Sequence, residues 1–144
     1  MIYTDNTRKA IRFCFEAHAG QVDKSGLPYV CHPLHVAEQM DDETSTIVAL
    51  LHDVVEDTRY TLDDIAEMGF GRDVTEALRL MTHDKAVPYL DYVRAISTNP
   101  VATKVKLADL AHNSDTSRLG RELTEEDVAR IRKYDEARRI LLGE

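Results

Sequence analysis

Apolar residues recur three and four positions apart along most of the chain, and the strict alternation of a half-buried strand is nearly absent. Between Asp5 and Ala19, the residues Ala10, Ile11, Cys14, Phe15 and His18 fall on one stripe of a predicted helix. A loop is predicted over 20–33, with Ser25-Gly26 and Leu27-Pro28 as breakers. His32-Pro33 then opens a short helix through Met40, with Pro33 at the first helical position. The most apolar element runs from Ile47 to Thr58 and turns Ile47, Leu50, Leu51, Val54 and Val55 to one face. Thr61 and Asp64 form a capping-box pattern for a helix to Met68. Asp73–Met81 and Tyr89–Ile96 are further amphipathic helices, the second with Leu90, Val93 and Ile96 inward. Asn99-Pro100 caps a helix carrying Val101, Val105, Leu107, Leu110 and Ala111. A second capping box, Thr124 to Asp127, starts the terminal helix. The pattern predicts an all-α helical bundle, read as one domain over 1–144.

Two of these apolar helices carry polar residues that a core does not accept unpartnered. The Ile47–Thr58 run contains His52, Asp53, Glu56 and Asp57, and helical spacing sets Glu56 over His52 and Asp57 over Asp53. Three acids that close repel one another unless a cation, shared protons or solvent relieves them. Asp109 lies among the core residues of the later helix, with Asn113 one turn below it. Lys106, three residues earlier, offers an ordinary ion pair as the competing explanation for Asp109. His32 stands at a helix entrance, and His35 three residues on reads as structural. His32, His52, Asp53 and Asp109 make a ligand set for one divalent ion such as Mn²⁺, Fe²⁺ or Zn²⁺, with positions open for water. Glu56 and Asp57 would then handle that water. Adjacent residues on a regular helix point well apart, so His52 and Asp53 reach one ion only in a special geometry. Asp23, Lys24 and Tyr29 in the loop are candidates to face a ligand, and Lys24 and Asn113 could hold substrate oxygens.

Composition narrows the partners. The 144 residues carry 26 acidic and 18 basic side chains, a formal net charge of −8. Broad electrostatic binding to nucleic acid or an anionic membrane wants a basic face and is not expected. The longest apolar runs are too short to span a bilayer, and the first residues lack a signal-peptide layout. Cys14 and Cys31 form no Cys-x-x-Cys pattern. The expectation is a cytoplasmic protein with two reduced thiols. The basic residues Arg130, Arg132, Lys133, Arg138 and Arg139 read as a solvated face, and His83-Asp84-Lys85 as an exposed loop.

Five segments together resemble the HD-domain metal-dependent phosphohydrolases, above all the hydrolase domain of RelA/SpoT-type alarmone enzymes and their small stand-alone relatives. They are His18-Ala-Gly-Gln21, Lys24-Ser-Gly-Leu-Pro-Tyr29, His32-Pro33, Leu51-His-Asp-Val-Val-Glu-Asp-Thr58 and Lys106-Leu-Ala-Asp-Leu-Ala-His-Asn113. The resemblance implies an all-α HD fold and one divalent metal, usually Mn²⁺, on His32, His52, Asp53 and Asp109; Mg²⁺, Fe²⁺ or Zn²⁺ would also suit. It implies Glu56 and Asp57 as the pair that activates water, and it sets Asn113 and Thr116 where relatives contact the nucleotide. The implied reaction is hydrolysis of ppGpp and pppGpp at the 3′ position. The rival expectations are another nucleotide or phosphoester, or a nucleotide-binding module without turnover. The resemblance is compatible with a homo-oligomer, and no synthetase domain is expected in 144 residues.

Two departures bear on the substrate. Relatives that hydrolyse ppGpp usually carry Arg-Lys-Ser-Gly in the first loop, where this chain has Asp23-Lys24-Ser25-Gly26. That arginine packs against the base, and an acid supplies no cationic plane. On this reading Asp23→Arg should strengthen ppGpp binding. The family's Ala-Asp-Arg-Leu-His-Asn is here Ala108-Asp109-Leu110-Ala111-His112-Asn113, which removes a second arginine.

Overall fold

Helix α3 (Glu43–Leu51) is the axle of the molecule. Every residue from Ser45 to Leu51 is buried, and a helix apolar on all sides has to be wrapped by others. Helices α1 (Asp5–Ala17), α2 (Cys31–Glu38), α6 (Arg72–Met81) and α8 (Pro100–Asn113) pack around it. The computed structural model describes residues 1–144. It also holds α4 (Val54–Asp57), α5 (Leu62–Glu67), α7 (Tyr89–Ile96), α9 (Glu125–Leu141) and a 3₁₀ turn, Thr116–Leu119. No strand forms; Val22 and Pro28 make one isolated bridge. The all-α architecture predicted from periodicity is what is observed.

Local signals account for most helix ends. The Thr61 and Thr124 capping boxes are both present, and Thr4 with Thr7 forms a third that opens α1. Asn99 accepts from the Ala102 N–H at 2.9 Å. Asp42 accepts from the Ser45 N–H at 2.8 Å and so caps α3. Lys104 from α8 also pairs with Asp41 and Asp42 in the acidic turn before α3. Asp127 is buried at the start of α9, where Arg121, Arg130 and the Thr124 N–H converge on its carboxylate.

Three expectations change. Phe15 is 48% exposed and Phe13 is buried in its stead, with its ring 4.9 Å from Tyr60. Helix α1 meets α3 along one stripe, which Thr7, Ala10 and Cys14 fill, and Phe15 lies one residue past it. Helix α2 begins at Cys31 rather than Pro33. Pro33 remains in the first turn, where the N–H it lacks has no intrahelical partner. The Ile47–Thr58 element is two helices, α3 and α4, with His52 and Asp53 between them.

Candidate functional site

The break between α3 and α4 supplies the special geometry that the His52-Asp53 pair needs. In a continuous helix, successive side chains diverge by about 100°. Here Asp53 sits at φ −102°, ψ −1°, ahead of α4, and both residues face one point. The His52 Nδ1–H donates to the Ala49 carbonyl at 2.6 Å, which aims Nε2 inward. Nε2 lies 3.1 Å from Asp53 Oδ2 and 3.3 Å from Asp109 Oδ1. Tyr29 donates its hydroxyl to Asp53 Oδ2 at 2.5 Å. Burial, then Asp53, pushes the Tyr29 pKa far up, so the phenol stays a donor.

Helices α2 and α8 complete the group. His32 Nε2 is 2.8 Å from Asp109 Oδ1 and 3.7 Å from Asp53 Oδ2. The four donor atoms of His32, His52, Asp53 and Asp109 all lie within 4.8 Å of one another. Both readings of Asp109 are realised on its two oxygens. Lys106 Nζ donates to Oδ2 at 2.9 Å, while Oδ1 faces the histidines and accepts from Asn113 Nδ2 at 3.0 Å. Burial works to raise the Asp109 pKa, but Lys106 and the two imidazoles hold it well below the carboxylate range.

This group fits a divalent cation. Burial opposes charge on His52, yet Asp53 and Asp109 push its pKa well above the ordinary imidazole value, so a buried and a half-buried carboxylate draw positive charge to one point. A divalent ion meets that demand more fully than a proton. Two nitrogen and two carboxylate donors suit Mn²⁺, Fe²⁺ or Zn²⁺. The Ala49 carbonyl holds a proton on His52 Nδ1, so Nε2 is the nitrogen that an ion would take in place of its proton.

Two openings bear on the predicted site residues. One is a pocket of about 280 Å³ whose walls include His32, Tyr29, Lys24, Asn113 and Thr116. The other is a shallower groove that Glu56 and Asp57 line with Gln21 and Tyr60. The structure thus brings Lys24, Asn113 and Thr116 to the pocket and leaves the two acids in a separate groove. Glu56 accepts from the His83 backbone N–H. The loop after α6 is therefore not a free surface turn, and the His83 ring stacks on Tyr92 at 4.4 Å. Burial raises the Glu56 pKa, with Asp53 and Asp57 adding to it and the His83 N–H opposing. Asp57 is raised likewise, by burial first and then by Asp53.

The altered loop residue has a partner. Asp23 Oδ1 accepts from the N–H groups of Ser25 and Leu27 at 2.8 and 3.0 Å, while Gly26, at φ +79°, closes the turn. Its Oδ2 lies 3.5 Å from Arg118 Nη2, and Arg118 Nη1 donates to the His112 carbonyl at 2.8 Å. Asp23 therefore ties the loop to the 3₁₀ turn across the pocket. This reverses the expectation for Asp23→Arg, since an arginine at position 23 would face Arg118 and lose the turn. For the nucleotide hydrolysis that the resemblance implies, Asp23→Arg is expected to raise KM about tenfold, equivalent to about 1.4 kcal/mol, with kcat little changed in steady-state assays.

The pocket also uses Arg130, which the sequence reading places on a solvated face, and two residues that reading gives no role, Tyr134 and Arg118. Arg130 and Tyr134 lie on a helical stripe with the buried Asp127, Ala137 and Leu141, and that spacing was the available signal. His112, to which the sequence reading gives no role, also meets the group. Its Nδ1 lies 2.7 Å from His32 Nδ1, and burial, then Arg118, lowers its pKa to about 4.

Comparison with known proteins decides the family. The family model for the HD domain matches residues 10–143. The chain belongs to the HD-domain family. This HD-domain chain is 41% identical over 102 residues to human guanosine-3′,5′-bis(diphosphate) 3′-pyrophosphohydrolase MESH1, a match that covers 63% of the chain and 56% of that protein. It is 33% identical over 141 residues to the guanosine-3′,5′-bis(diphosphate) 3′-pyrophosphohydrolase of Aquifex aeolicus, covering 89% of the chain and 20% of that protein. A GTP pyrophosphokinase of Myxococcus xanthus is 33% identical over 145 residues, covering 88% of the chain and 19% of its own length. The chain spans little more than half of the human relative and about a fifth of the two bacterial ones. Among solved structures, a metazoan ortholog of SpoT, described as hydrolyzing ppGpp, superposes with a TM-score of 0.78 at 26% identity. That match covers 99% of this chain and 89% of the other. No helix is long and apolar enough to cross a membrane.

Proposed function

We propose that this HD-domain chain is a cytoplasmic, metal-dependent phosphohydrolase, one domain over 1–144, that removes pyrophosphate from the 3′ position of ppGpp and pppGpp. The observation that carries the reading is the convergence of His32, His52, Asp53 and Asp109 within 4.8 Å beside a pocket that holds Lys24, Asn113 and Thr116. The activities for which the human and Aquifex relatives are named support the substrate class. The four clustered residues would hold one divalent ion, with Mn²⁺ favoured. Bound there, the ion would lower the pKa of water and polarise a phosphoryl oxygen.

The chain's own residues supply the rest. Glu56, fixed by the His83 N–H, takes a proton from the attacking water, and Asp57 one residue on orients that water. The water oxygen would bond to the phosphorus attached to the ribose 3′ oxygen, the P–O3′ bond would break, and that oxygen would take up a proton from solvent, so that pyrophosphate and the 3′-hydroxyl nucleotide leave. Lys24 balances phosphate charge, and Asn113 and Thr116 hold ribose or phosphate oxygens at the pocket wall. Lys106 keeps Asp109 ionised without entering the pocket.

Asp23 favours a second reading, the same hydrolysis on a different nucleotide, because it leaves the loop without a free cation beside Lys24. One panel decides between them. The protein is incubated with Mn²⁺ and ppGpp, pppGpp and other nucleoside polyphosphates, and released pyrophosphate and phosphate are followed. Pyrophosphate and GDP from ppGpp are expected. Turnover of other members alone supports the second reading, and tight binding without any turnover overturns the enzymatic reading.

A further inference from the structure

The proposed ligand His32 makes an unusual outer contact. A metal-binding imidazole ordinarily donates its second N–H to a carboxylate, a backbone carbonyl or water. His52 follows that rule through Ala49. His32 instead meets another imidazole, with its Nδ1 2.7 Å from His112 Nδ1. The ring centroids are 5.0 Å apart and the planes 12° from parallel. That separation is the N···N distance plus the radii of the two rings. The rings therefore lie edge to edge, close to one plane, with the two nitrogens aimed straight at each other.

Only one proton fits between them. If both Nδ1 atoms carried hydrogen, the donors would collide; if neither did, two lone pairs would face each other at hydrogen-bond distance. His32 Nε2 points at Asp109 and Asp53, so a cation bound there takes its lone pair and leaves the ring proton on Nδ1. His112 Nδ1 must then be the acceptor, with its own proton on Nε2.

The fold holds His112 in that role from two more sides. His35, one turn beyond His32 on α2, lies against the His112 ring with centroids 4.0 Å apart and planes 18° from parallel. Arg118 donates to the His112 carbonyl at 2.8 Å. Helix α2 thus grips one ring of α8 with two histidines, one by hydrogen bond and one by stacking.

We propose that His112 is a positioning residue, whose Nδ1 lone pair locks His32 in the tautomer and orientation that present Nε2 to the metal. This rests on the proposed metal site and names a residue that supports it without touching the ion. The test measures Mn²⁺ affinity directly, by titration calorimetry and by the electron paramagnetic resonance signal of free Mn²⁺. His112→Phe keeps a flat ring for His35 and removes the acceptor. His112→Asn loses the ring and keeps an oxygen where Nδ1 stood. Phe is expected to weaken Mn²⁺ binding about 10- to 100-fold, and Asn to stay within about threefold of the wild type. Equal affinities for the Phe variant and the wild type, or an Asn variant as weak as Phe, overturn the role of His112 and leave the metal site standing. A wild-type chain that binds no Mn²⁺ overturns both. A measurement that needs no variant is the long-range proton–nitrogen spectrum of the wild-type chain loaded with diamagnetic Zn²⁺. Protons are expected on His32 Nδ1 and His112 Nε2, and a proton on His112 Nδ1 overturns the proposal.

Discussion

Asp109→Asn is expected to abolish tight Mn²⁺ binding and to reduce pyrophosphate release from ppGpp by at least about a thousandfold. The size follows from the several kcal/mol of charge stabilisation that a bound cation supplies, at about 1.4 kcal/mol per tenfold in rate. Asp109 is where the site is joined. One oxygen faces His32, His52 and Asn113, and the other takes Lys106. Asparagine keeps the volume and loses the charge. It also leaves Lys106 as a buried cation without its counter-ion, and breaking a buried pair costs about 3–5 kcal/mol. Stability and metal binding therefore have to be read separately. Chemical denaturation without metal gives the first quantity. The rise in melting temperature on adding Mn²⁺ gives the second, since a ligand at a hundred times its Kd stabilises by about 2.7 kcal/mol. The variant is expected to show no such rise. A variant that keeps the wild-type rise and turnover would remove Asp109 from the metal site.

Glu56→Gln is expected to lower kcat by about a hundred- to ten-thousandfold, the range for losing a positioned general base. Its Mn²⁺ affinity and KM should change little, because Glu56 lies outside the four-residue cluster and lines the groove instead. Glutamine retains an oxygen to accept the His83 N–H, so the loop after α6 stays tied to α4. The contrast with Asp109→Asn is the informative part. One substitution removes the ion and the other leaves it in place with no group to take the water's proton. If Glu56→Gln turns over ppGpp at the wild-type rate, the base must be sought at Asp57, and Asp57→Asn is the next variant to assay.

The helices were legible because each repeats a local signal. Capping boxes at Thr61 and Thr124, the Asn99-Pro100 entrance and the apolar run of α3 all act within a few residues of chain. The cluster of His32, His52, Asp53 and Asp109 was legible for a similar reason, since charged side chains inside apolar helices stand out against their surroundings. Pairings across long stretches were not. Asp23 and Arg118 are 95 residues apart, and His32 and His112 are 80 apart. Nothing in the spacing of either residue points to its partner. Phe15 was misplaced because periodicity gives a direction around the helix but not the width of the face a neighbour covers.

By itself the sequence determined the helical class and which acids and imidazoles need relief inside a core, because both follow from periodicity and from the cost of burying charge. The tertiary structure alone decided how those groups meet. It broke the long apolar helix at His52 and Asp53 so that neighbours in sequence could face one point. It divided the two oxygens of Asp109 between Lys106 and the histidines. It set His112 end-on to His32. These arrangements depend on where α2, α3 and α8 lie relative to one another, and helix packing fixes that through contacts distant in the chain.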